Sequence, residues 1–128
     1  MEHWWMTTDV TRNFLFVWLG LWSIGAKVAH INYNLTGEPL LHSVWTATSR
    51  LLLVDEEVKD NITAEVQEQL SSPSFREEGG SVQISFLPDS LDQELASIHP
   101  VREPDSARDG QQNNSMCMLI YTSGTTGK

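Results

Sequence analysis

The chain has 128 residues, 17 acidic and 8 basic, for a formal net charge of −9. That length supports one hydrophobic core and excludes two ordinary domains. The charge excludes recognition of a nucleic-acid backbone, which needs clustered Lys and Arg, and it gives no attraction to an anionic membrane surface.

In chain order, Met1 to Asp9 has neither the basic start nor the apolar run of a secretory signal. Residues 1–12 carry Trp4, Trp5 and Met6 among polar neighbours without a clean period, so this N-terminus is expected to be poorly defined. From Asn13, the run Phe14 to Gly25 is apolar on nearly every face, as in a core helix or a membrane segment. It has roughly a dozen residues where a bilayer needs about 20, so the reading is a buried helix. Gly20 would allow close packing against it and Gly25 would end it. Lys27 to Tyr33 reads as a strand, with Val28, His30 and Asn32 on one face and Ala29, Ile31 and Tyr33 on the other. His30 has no second metal ligand at strand or helix spacing and is read as a hydrogen-bonded structural histidine.

Thr36, Glu38 and Pro39 announce a helix whose inward stripe is Leu40, Leu41, Val44 and Trp45, with His42 solvated beside it. Leu51 to Val54 is a fully buried strand of the parallel kind. Asp55 follows at its carboxyl end, where α/β sheets bind ligands, but a strand-ending Asp is more often the cap of the next helix. Val58, Ile62, Val66 and Leu70 recur at four-residue steps and predict one surface helix over residues 56–70. Ser71 to Gly80 is turn-rich, and Val82, Ile84 and Phe86 alternate in a strand near the sheet edge. A short helix is expected over Leu91, Leu95 and Ile98. His99 to Ser115, nearly devoid of apolar residues, reads as an exposed mobile loop.

The lone cysteine, Cys117, excludes a disulfide within the chain and suits a reducing compartment. As a small hydrophobe in an apolar run it is given no catalytic role. Asn34, Asn61 and Asn113 begin Asn-x-Ser/Thr triplets, taken as coincidental without a signal peptide. Met118 to Tyr121 reads as a buried strand that runs straight into Thr122, Ser123, Gly124, Thr125, Thr126 and Gly127. The two glycines let the main chain approach a ligand closely, and the hydroxyls and backbone N–H groups add donors, which suits phosphate. The spacing is not that of a P-loop, since only two residues separate Gly124 from Gly127. An ordinary polar turn after a strand is the competing reading. The alternation of helices and strands implies an α/β fold, a mostly parallel sheet with helices on both faces, joined by right-handed crossovers.

Tyr121-Thr-Ser-Gly-Thr-Thr-Gly127 resembles the phosphate-binding signature of the adenylate-forming acyl- and aryl-CoA synthetases. Phe16-Val-Trp-Leu-Gly-Leu-Trp-Ser-Ile-Gly-Ala26, His30-Ile-Asn-Tyr-Asn34, Leu40-Leu-His42 and Leu51-Leu-Leu-Val-Asp55 are similar to one branch. That branch is the fatty acid transport protein and very-long-chain acyl-CoA synthetase group, especially its fungal members.

The resemblance implies that residues 13–128 form part of an AMP-dependent synthetase domain, with Thr122 to Gly127 gripping the β- and γ-phosphates of ATP. It implies ATP, Mg²⁺, CoA and a fatty acid as ligands of the parent enzyme, and an intracellular site with membrane association at the endoplasmic reticulum, peroxisome, lipid droplet or plasma membrane; the charge already argues against nucleic acid as a partner. No catalytic or metal-binding residue is assigned within the chain. The family's adenine pocket, magnesium-binding glutamate and catalytic lysine are expected beyond Lys128, as is the lysine of the signature itself. The family's strand before the first helix is expected to be absent or replaced by Met1 to Met6, and the chain to be a gene fragment, a wrongly bounded gene or a truncated product. A sheet ending at the last strand is expected to leave Trp18, Trp22 and Leu51 to Val54 partly exposed. A stand-alone nucleotide- or anion-binding module and a ligand-free interaction protein are the alternatives.

Overall fold

A computed structural model describes residues 3–7, 12–75, 80–112, 114–116 and 118–120. The strands are β1 His3–Thr7, β2 Lys27–Ile31, β3 Leu51–Asp55, β4 Gln83–Leu87 and β5 Met118–Ile120. Between them run α1 Arg12–Ser23, α2 Gly37–Thr46, α3 Ala64–Ser71 and α4 Leu91–Ser97. The sheet has the order β4-β3-β1-β2-β5, and every neighbouring pair is parallel. Parallel pairing requires crossovers, and each helix supplies one, so the expected α/β architecture is the observed one.

The two faces of the sheet differ. On one, Leu40 and Val44 of α2 and Val66 and Leu70 of α3 pack on Ala29, Ile31, Leu52 and Val54 to form the core. Leu40, Leu52, Val44, Val54 and Leu70 are completely buried, and burying each such side chain stabilises by about 1.5–3 kcal/mol. The opposite face carries Val28, His30 and Leu53, with α1 laid over it and α4 beside α1. Leu52 to Val54 is therefore covered on both faces, contrary to the expected partial exposure; Trp22 does stay 45% exposed.

Several other expectations are corrected. The N-terminal segment expected to be poorly defined contains β1, which pairs with β2 from His3↔Lys27 to Thr7↔Ile31 and with β3 from Trp4↔Leu51 to Thr7↔Val54. A central strand is fixed by partners on both sides, which explains why its own five residues carry no periodic signal. A strand therefore precedes the first helix, at His3–Thr7: it is not absent but lies within the stretch expected to replace it. The helix α1 is not buried all round: Leu15, Phe16, Leu19 and Trp22 are 45–50% exposed, because among the described residues nothing covers its outer face. An added Cβ at Gly20 would meet nothing within 4 Å, so Gly20 is not a point of close packing.

The single helix expected over residues 56–70 is two. A 3₁₀ helix spans Glu56–Asn61, Ile62 leaves helical geometry at ψ 74°, and α3 restarts at Ala64. Thr63 causes the restart, since its Oγ1 accepts the Val66 N–H at 3.3 Å and so caps α3. The apolar stripe survives the break, with Ile62, Val66 and Leu70 all buried. The last strand is not buried either. It is an edge strand whose Met118 and Leu119 are half-buried and whose Ile120 is 61% exposed. The connection from His99 is largely exposed as expected, with one 3₁₀ helix, Asp105–Arg108, inside it.

Gly25 ends α1 as expected. Its φ of +83° turns the chain back, so that Gly25 N–H donates to the Trp22 carbonyl and Ala26 N–H to the Leu21 carbonyl, both at 3.0 Å. This pair of bonds is the Schellman arrangement. The loop at Ala107 lies directly against the glycine.

Candidate functional site

In a parallel sheet all strands point the same way, so their carboxyl ends share one edge, and ligands of α/β folds bind there. Asp55 ends β3, and Ile120 ends β5 with residue 121 next in sequence. Among the described residues β5 pairs only with β2, through Val28↔Met118, Ala29↔Leu119 and His30↔Ile120. The expected phosphate-binding residues, Thr122, Ser123, Gly124, Thr125, Thr126 and Gly127, lie outside the described residues, as do Tyr121 and Cys117. What the structure contributes is the strand that carries them and its direction.

Asp55 is a cap. Its Oδ1 accepts the Glu57 N–H at 3.1 Å, which satisfies an orphan donor at the start of the 3₁₀ helix. Beside it lies a cleft of about 250 Å³ lined by Asn13, Asp55, Glu57, Leu87, Pro88, Asp89 and Asp92. Four of those seven residues are acidic, so the cleft repels phosphate. A second, apolar groove of about 550 Å³ lies between α1 and α4, walled by Phe16, Leu19, Leu95, Ala96 and Asp92. Sequence reasoning missed both. The strand-ending Asp55 hinted at the first, and nothing in the periodicity of residues 91–98 indicated that α4 would lie beside α1.

His30 is buried, as a structural histidine should be, but among the described residues it has no hydrogen bond. Neither ring nitrogen has a partner among the described residues. Its ring instead lies 4.3 Å from that of Phe14 and meets Trp18 edge-on at 6.3 Å. Burial pushes its pKa below the ordinary histidine value. His42 is exposed and stacks on Trp45 at 6.4 Å. Asp105 accepts hydrogen bonds from Arg102 at 2.8 Å and Arg108 at 2.6 Å, and these hold its carboxyl below the usual range. Asn61 donates its side-chain amide to the Tyr33 carbonyl at 2.6 Å, so this Asn-x-Thr position has a structural use. Among the described residues no three His, Cys, Asp or Glu side chains converge to hold a metal, and no helix is long and apolar enough to cross a membrane.

The description "AMP-binding enzyme" matches residues 8–128, nearly the whole chain and including the glycine- and hydroxyl-rich segment. The chain belongs to the AMP-binding enzyme family. It is 34% identical over 124 residues to the very long-chain fatty acid transport protein of Saccharomyces cerevisiae, covering 89% of this chain and 17% of that protein. With long-chain fatty acid transport protein 5 of Homo sapiens it shares 35% identity over 118 residues, 88% of this chain and 16% of the relative. Among solved structures, a Mycobacterium tuberculosis fatty acyl CoA synthetase superposes with a TM-score of 0.59 at 17% identity, over 95% of this chain and 22% of that one. That likeness bears on the fold alone. This AMP-binding chain spans about a sixth of the length of these curated relatives.

Proposed function

We propose that the chain contributes the ATP phosphate-binding segment of a fatty acyl-CoA synthetase of the fatty acid transport protein type. The observation that carries this reading is the family match through residue 128, which takes in the segment that follows a parallel strand at the carboxyl edge of the sheet. In the proposed reaction a fatty carboxylate oxygen attacks the α-phosphate of ATP, giving acyl-adenylate and releasing pyrophosphate. The CoA thiol then attacks the acyl carbon and AMP leaves. Thr122, Ser123, Thr125 and Thr126 supply hydroxyl donors to the β- and γ-phosphates, while Gly124 and Gly127 let backbone N–H groups approach them. Their contribution is to position the phosphates and to stabilise charge as pyrophosphate departs. Mg²⁺ supplies further charge neutralisation, and no described residue is assigned to hold it. Membrane association in the cell belongs to the same proposal, on the strength of the relatives' being fatty acid transport proteins.

The test has two arms. The transcript is sequenced past codon 128: a frame continuing through Pro-Lys into related coding sequence is expected, and a stop with nothing related beyond it would sink the synthetase reading. In the enzyme so encoded, exchange of labelled pyrophosphate into ATP is measured with palmitate. Thr125→Val and Gly127→Val are expected to slow exchange by about tenfold or more, the scale of losing an anion-stabilising donor. Unchanged exchange in both variants would remove these residues from the phosphate site. The 128-residue chain by itself is expected to form no acyl-CoA above a blank.

A further inference from the structure

His30 stands at the middle of the α1-covered face, on the strand that β5 depends on. It is 91% buried, both ring nitrogens lack hydrogen-bond partners among the described residues, and the nearby Trp18 Nε1 is likewise buried and unpartnered. Its lateral neighbours in the sheet are Met6 on β1 and Ile120 on β5, and its neighbours along the same face of β2 are Val28 and Asn32. From α1 it meets Phe14 and Trp18. None of these six residues is of a charged type or titrates near neutral pH, and among the described residues no charged group adds to the effect of burial on the imidazole.

We propose that His30 is a proton-operated latch: neutral, it lets α1 close on the sheet, and protonated, it favours release of α1 from β2. An imidazolium carries two N–H donors and a full charge, and among the described residues neither ring nitrogen has a partner to receive a donated hydrogen bond. The face of Phe14 offers cation–π attraction, which offsets only part of the loss of water, since the net displacement is downward. A histidine with a folded-state pKa below its open-state value binds its proton more readily when the contact is open. Closure is therefore complete above about pH 6.5 and weakens as pH falls below it, by up to about tenfold per pH unit until the folded-state pKa is reached. Because His30 pairs in register with Ile120, opening of β2 also loosens the one described strand partner of β5.

The experiment follows amide exchange of Arg12–Ser23 by mass spectrometry in the 128-residue chain between about pH 7.5 and 5.5, a window in which ordinary carboxylates stay ionised. After correction for intrinsic exchange, opening of α1 is expected to rise by up to about tenfold per pH unit in the wild type and to stay flat in His30→Phe and His30→Gln. Slow exchange at the imidazole C2 hydrogen is read on the same samples. The His30 midpoint is expected below the ordinary histidine value of about 6.5. A His30 midpoint at or above that value, or an acid response retained in His30→Phe, would overturn the latch; if neither variant folds, the wild-type C2 midpoint decides.

Discussion

Gly25 shows how one residue couples two parts of this chain. Its φ of +83° is a conformation that side-chain-bearing residues adopt only with strain, and a Cβ built there would run into the Ala107 carbonyl oxygen. That atom is backbone, so relief needs movement of the Asp105–Arg108 turn and cannot come from a rotamer change. Gly25→Ala is expected to destabilise by at least about 1–3 kcal/mol, the scale of a strained backbone position, seen as a fall of several degrees in thermal midpoint. Gly20 supplies the contrast, since it sits within α1 with open space around it. Gly20→Ala is expected to stabilise by about 0.5–1 kcal/mol, through reduced unfolded-state entropy and better helix propensity. Equal effects of the two substitutions in one denaturation series would refute the account given of Gly25.

At the scale of elements, Thr63 is the residue that makes two helices out of one apolar stripe. Thr63→Ala removes the acceptor for the Val66 N–H, and the expected cost is about 1 kcal/mol in denaturant unfolding with the slope unchanged. An unchanged midpoint would mean that Ile62 and Val66 burial alone fixes α3. The same region shows what was legible in sequence. The stripe Ile62, Val66, Leu70 could be read because burial selects every fourth residue, and Leu51 to Val54 because a strand covered on both faces is apolar throughout. A period of four passes unbroken through Asn61 to Thr63, so only the capping chemistry of Thr63 marks the break. β1 was illegible for a different reason: its place depends on β2 and β3, which lie more than twenty residues away in sequence. The segment Thr122 to Gly127 was legible as chemistry from its own composition, whereas the acidic cleft at Asp55 arises from residues on α1, β4 and α4 that only the fold gathers.

For the whole molecule, the imbalance between the two faces of the sheet decides solution behaviour. The α2–α3 face is sealed, but α1 presents Leu15, Phe16, Leu19 and Trp22 outward, continuous with the groove against Leu95. Burying roughly 300 Å² of apolar surface on each of two copies would contribute about 15 kcal/mol at about 25 cal/mol per Å². Association itself costs about 4–15 kcal/mol. The balance lies between nearly none and about 11 kcal/mol, so self-association of the 128-residue chain should depend on concentration. The net charge of −9 opposes it through repulsion that acts over about 10 Å at 0.1 M salt and shortens as salt is added, while apolar contact is not screened. Light scattering is therefore expected to report larger mean mass as protein concentration and salt rise. The double substitution Phe16→Glu with Leu19→Lys, on a face already exposed, should suppress this growth without lowering the thermal midpoint by more than about a degree or two, as for ordinary surface changes. A monomer at every concentration and salt level, or association undiminished in the double variant, would show that the outer face of α1 is not what brings copies together.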